Sequence, residues 1–139
     1  IQDLKQLIKN GHTIGGHSKT HANLGSIYDT KKLKNEIINS AGYLEKALNT
    51  KIKHFAFTYG NYTSMSFKSL KLALSQYNFI YSCLRGNNHS VLSNEIIKRD
   101  AIYLDEGSKL LSIFLSGFFD FKYFFQIISI NKIIKKITK

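Results

Sequence analysis

An alternation of hydrophobic period limits the folds open to this chain. Residues 52–57 read IKHFAF, a short apolar and aromatic run, too brief for a helix and bounded like a buried strand. It lies between two stretches of helical spacing. Before it, Leu33, Ile37, Ala41, Leu44 and Leu48 fall on one side of a helix that Asp29 can cap. After it, Phe67, Leu70, Leu74 and Tyr77 repeat that spacing, with Ser64 as the expected cap. A further helix opens the chain, with Ile1, Leu4, Leu7 and Ile8 on one side and Gly11 at its C-terminal end. Thr13 and Ile14 suggest a short strand, FIYSC at 79–83 another, and IIKRDAIY at 96–103 a further one. Helices and strands alternating in this way predict an α/β chain built from βα units around a mainly parallel sheet. Functional loops in such folds gather at the carboxyl ends of the strands.

The 139 residues suffice for one ordinary domain, and 43% hydrophobic residues suffice to fill its core. The net charge of +11 raises the question of a nucleic-acid partner. The basic residues are mostly lysines spread along the chain, with no arginine cluster and no stacked aromatic platform, so no nucleic acid is expected. Cys83 is the one cysteine, which excludes an internal disulfide. The chain opens on Ile1, inside a helical pattern, and is read as a fragment whose true N-terminus lies upstream.

Residues 1–107 carry the alternation; residues 108–139 form a tail of different character. Its run LLSIFLSGFFDFKYFFQIISI, 110–130, has about the length of a bilayer span. Asp120 and Lys122 near its middle would be costly in hydrocarbon. The expectation is an apolar helix packed on the domain, or one making peripheral membrane contact with the Lys-rich end, 131–139, near anionic headgroups.

His17 and His21 sit four apart in GGHSKTH, residues 15–21. Two imidazoles at this spacing reach one metal ion if the backbone turns between them, and imidazole suits zinc and its neighbours. Alone the pattern is weak, because five histidines in a chain of this size generate such spacings by chance.

Its surroundings are more specific. GHTIGGHSKTHANL resembles the second motif of the polysaccharide deacetylases, carbohydrate esterase family 4, of the form H-[ST]-x-x-H behind G-H-x-[IV]-[GA]. Gly11, His12, Ile14, Gly15, His17, Ser18 and His21 match it. HFAFTYGNY, 54–62, is similar to the third motif, written F-A-Y-P-Y-G in one subgroup. The likeness spans most of residues 3–104. It implies a partial distorted (β/α) barrel and removal of acetyl groups from a sugar polymer with a divalent metal, most often zinc. It makes His17 and His21 metal ligands, Ser18 a residue that holds a ligand or simply caps the loop, and Tyr59 the donor of a backbone N–H to the oxyanion. His12 is read as structural.

The pattern departs from the family in three places. The opening T-F-D-D motif, which brings the carboxylate ligand and the catalytic base, is not found before His17. Thr58 stands where proline is usual, which is expected to loosen that turn. Ala56 stands where many members carry arginine, a loss shared with the F-A-Y-P-Y-G subgroup. The late histidine has no clear match: His89 is a candidate general acid or a plain loop histidine. Arg99 and Asp100 are candidates for the motif that tunes the histidine pair, or an ion pair on an edge strand. The sequence thus predicts a metal-dependent hydrolase acting on acetylated envelope or surface polysaccharide, inactive as this fragment alone. Its expected place is the cell envelope or the cytoplasmic face of the membrane. The alternative is a carbohydrate-binding relic of the same fold that has lost the chemistry.

Overall fold

Short apolar runs pair into a small parallel sheet, seen in a computed structural model that describes residues 1–86, 88, 96–99 and 107–138. Strands β1 (His54–Ala56), β2 (Phe79–Tyr81) and β3 (Ile96–Ile97) lie in that order, all parallel. Phe55 pairs with Ile80 and Ile80 with Ile96, so one face of the sheet is a row of apolar residues, all buried. β1 and β2 are shorter than the apolar runs that predict them, and residues 100–103 of the third expected strand lie outside the described residues. Of the expected strand at 13–14, one bridging residue remains: the Gly16 N–H donates to the His54 carbonyl at 2.8 Å, and Ala56 N–H donates to that of Gly16 at 2.9 Å. The approach is close: a Cβ on Gly16 would lie 2.9 Å from the Tyr77 hydroxyl and 3.2 Å from the Phe55 ring, so these rings would have to shift. Among the described residues the sheet does not close into the expected barrel. Three strands of two or three residues, each twisted by about 20–25° on its neighbour, turn through a small part of a circle.

The helices form where local chemistry stops and starts them. Helix α1 (Gln2–Lys9) ends at Gly11, whose φ of 87° turns the chain left-handed; Gly11 N–H donates to Ile8 and His12 N–H to Leu7. Asp29 caps α2 (Thr30–Lys34) as predicted, accepting from the Lys31 and Lys32 N–H groups at 2.7 and 3.3 Å. The helix does not run unbroken to Leu48: a π turn, Asn35–Asn39, separates α2 from α3 (Ser40–Leu48). Leu33, Ile37, Ala41 and Leu48 reach the core. Helix α4 (Phe67–Gln76) is capped by Ser66, not Ser64; Ser66 Oγ accepts the Ser69 N–H at 3.2 Å. Asn61 captures the Ser64 N–H one turn earlier and buries that serine. Phe67, expected inward, is exposed, and the inward face is Ser69, Leu70, Ala73 and Tyr77.

The tail is not one helix. Helix α5 (Ser108–Leu115) and helix α6 (Phe124–Ile137) are separated at Gly117, where φ is 75°, and by a 3-10 turn, Asp120–Tyr123. No single helix among the described residues is long and apolar enough to cross a membrane; the two segments together reach that length but are bent by 52°. Ile130 and Ile134 of α6 join the common core. Asp120 lies 3.7 Å from the Arg85 guanidinium, which also stacks on Phe114 at 4.3 Å.

Candidate metal centre

The two loops singled out by the sequence meet beside the carboxyl end of β1. Gly16, bridged to β1, fixes where the chain enters the first loop, and His17 follows directly. His17 Nδ1 lies 2.8 Å from the Ala56 carbonyl. A carbonyl only accepts, so Nδ1 carries the proton and Nε2 keeps its lone pair. The His17 and His21 rings lie 5.0 Å apart, centroid to centroid, at 70°. Both are exposed.

The backbone between them turns sharply. Ser18 and His21 both have left-handed φ, 61° and 59°. The Ser18 hydroxyl accepts the His21 N–H at 3.0 Å and closes this turn. Tyr59, with φ of 62°, is likewise left-handed, and its ring meets that of His21 at 5.2 Å. These are three of the four non-glycine residues with left-handed backbone among the described residues, the fourth being Asn49. Such strain gathers where surrounding structure over-determines a functional loop.

Two residues hold the loops, one that sequence reasoning misjudged and one that it passed over. Thr58 is fully buried, and its hydroxyl donates to the Ala22 carbonyl at 2.5 Å. The residue expected to loosen the turn instead ties it to the chain just past His21. Glu36, from the π turn, accepts the N–H groups of Lys19 and Thr20 and the Thr20 hydroxyl, each at 2.9 Å. Burial alone would raise this carboxyl; the donors of Thr20 and Lys19, with the Lys19 charge, outweigh it and hold it below its ordinary range. One signal was present in the sequence: a glutamate beside Ile37, next to the inward side of an amphipathic helix.

Arg99 and His17 line one open cavity of about 430 Å³, with Thr13, Gly15, His54 and Tyr81. The Arg99 Nε–H donates to the Ser82 carbonyl at 3.1 Å, and the guanidinium lies over the Tyr81 ring. His54 Nδ1 and the Tyr81 hydroxyl share a hydrogen bond of 2.8 Å. His89 and Asp100 lie outside the described residues. Among the described residues no third histidine, cysteine, aspartate or glutamate joins the imidazole pair.

The polysaccharide deacetylase family model matches residues 2–77, more than half of the chain and the whole of both loops. The chain belongs to the polysaccharide deacetylase family. Two crystal structures share its fold: a polysaccharide deacetylase from Bacillus cereus, 19% identical with a TM-score of 0.63, and a Bacillus anthracis protein assigned to the same class, 21% identical with a TM-score of 0.65. They align with 82% and 83% of this chain, which spans 35% of the length of each. No curated protein sequence matches it significantly. Among the polysaccharide deacetylases this chain thus keeps two loops side by side at one end of β1, one following the Gly16 bridge and one leaving the strand itself.

Proposed function

We propose that this chain provides the imidazole half of a metal-dependent deacetylase centre acting on an acetylated polysaccharide. The observation that carries the reading is the His17 hydrogen bond to Ala56, which leaves Nε2 available beside the His21 ring. That donor set fits a borderline cation such as zinc, with His17 and His21 as two of its ligands. A bound metal of this kind polarises an acetyl carbonyl and makes water acidic near neutral pH. The residues here have their own tasks. Ser18 holds the turn between the ligands, and the Tyr59 backbone N–H supplies a donor to the oxyanion. Arg99, in the same cavity as His17, orients the surroundings of the pair. The carboxylate ligand and the base come from outside the described residues.

The absence of a carboxylate beside the pair among the described residues favours a second reading, a domain that binds the sugar without cutting it. Both are tested by metal content and by acetate released from an acetylated chito-oligosaccharide. In a protein that also carries the carboxylate ligand and the base, the deacetylase reading expects one zinc per chain and loss of zinc and acetate release in His17→Ala. Sugar binding with no acetate release and no change in metal content in that variant supports the second.

We also propose an anionic lipid surface as a partner of the tail. Ile130 and Ile134 occupy the inward side of α6, while Phe121, Phe124 and Phe125 are exposed before and at its start and Lys132, Lys135 and Lys136 are exposed at its end. Leu115 and Phe118 extend the exposed apolar stretch. Aromatic rings beside lysines suit the boundary between acyl chains and anionic headgroups. Sedimentation with phosphatidylcholine vesicles, with and without phosphatidylglycerol, is expected to show binding to the anionic vesicles alone, weakened by salt and by Phe121→Ser with Phe125→Ser. Equal binding to both, or burial of the face by self-association, overturns it.

A further inference from the structure

We infer that Glu36 positions the histidine loop for metal binding, an inference that rests on the metal-centre reading above. Three residues join His17 to His21, and each is tied. Ser18 is tied to His21. Lys19 and Thr20 are tied to Glu36: its Oε2 accepts both of their N–H groups and its Oε1 accepts the Thr20 hydroxyl. Glu36 is 7% exposed and stands beside Ile37, which is fully buried. A carboxylate is costly in such a place unless it is hydrogen-bonded. The three hydrogen bonds its carboxylate makes among the described residues all go to this loop.

The loop needs such an anchor. Ser18 and His21 are left-handed, so its two ends are strained, and it lies outside any regular strand or helix. Charge-assisted bonds to a carboxylate are stronger than neutral ones and fix direction as well as distance. The π turn, Asn35–Asn39, carries the anchor, and such turns gather at functional sites. Glu36 touches neither imidazole in these contacts. Its role is to hold the spacing between them.

The test is a titration of zinc into the full chain, followed by the His17 and His21 ring resonances in NMR. Glu36→Ala is expected to weaken zinc binding by about 10- to 100-fold, the range for residues that orient ligands. Glu36→Gln keeps an acceptor for both N–H groups, and the Thr20 hydroxyl can reverse; it is expected to restore most of the affinity. Leu33→Ala removes a buried side chain from the neighbouring α2 and none of the hydrogen bonds to the loop, and the folded chain should then bind zinc as before. If Glu36→Ala binds zinc no more weakly than Leu33→Ala, the positioning role is overturned. If His17→Ala also binds zinc unchanged, the metal-centre reading itself has failed. Should Glu36→Ala not fold, Thr20→Val deletes one bond alone; severalfold weaker binding supports the role, and unchanged binding overturns it.

Discussion

Left-handed backbone at Ser18, His21 and Tyr59 sets the shape of both loops, and single side chains keep it there. Gly60 continues the turn at φ 62°, and a Cβ on it would lie 2.6 Å from the Cys83 nitrogen. Gly60→Ala is therefore expected to cost about 1–2 kcal/mol from backbone strain, with the clash in addition, read as a lowered midpoint of denaturant unfolding. Glu36 gives a pH dependence with a definite sign. Its folded pKa lies below the ordinary 4.5, so the stability it contributes is present above that value and is lost as pH falls through the lowered one. Unfolding midpoints measured between neutral pH and pH 3 should fall for the natural chain, and Glu36→Gln should flatten part of that fall. An unchanged profile in Glu36→Gln would mean that the carboxylate's bonds to the loop contribute nothing. These roles were only partly legible in the sequence. The histidine spacing was, because it is local. The partner of Glu36 lies 16 and 17 residues earlier and that of Thr58 36 residues earlier, and no local pattern connects them.

At the level of elements, what the sequence stated correctly rests on short-range chemistry. Asp29 was legible as a cap because its side chain bonds residues two and three positions on. Asp29→Ala should cost about 1 kcal/mol in unfolding free energy, and no loss would mean that the cap is exchanged for solvent. Ser64 and Ser66 were not separable in the sequence: both are serines, and the Ser64 hydroxyl is engaged elsewhere, donating to the Asn61 carbonyl at 2.8 Å. β1 and β2 were read longer than their paired residues, although the Phe57 N–H still donates to the Tyr81 carbonyl just past β1. The tail was read as one helix because apolar residues continue through Gly117, whose left-handed φ ends α5. Asp120, an odd residue within an apolar run, is answered by Arg85 from the core.

As a whole, the described residues bring helices against one face of a parallel sheet and leave the other open. Phe55, Ile80 and Ile96 are covered, while His54, Phe79 and Tyr81 border or approach the open side, with Phe79 exposed. Parallel sheets are ordinarily covered on both faces. That open side holds the cavity shared by His17 and Arg99. The family was legible because the two motifs survive intact enough to match over residues 2–77. The barrel was an expectation from the family, and three short strands do not show it. The central claim is that His17 and His21 hold one metal together. X-ray absorption at the zinc edge of the loaded chain tests it most directly. Two imidazole nitrogens at about 2.0–2.1 Å are predicted, reduced to one in His17→Ala and in His21→Ala; a spectrum with no imidazole scattering, or one that neither substitution changes, contradicts the account.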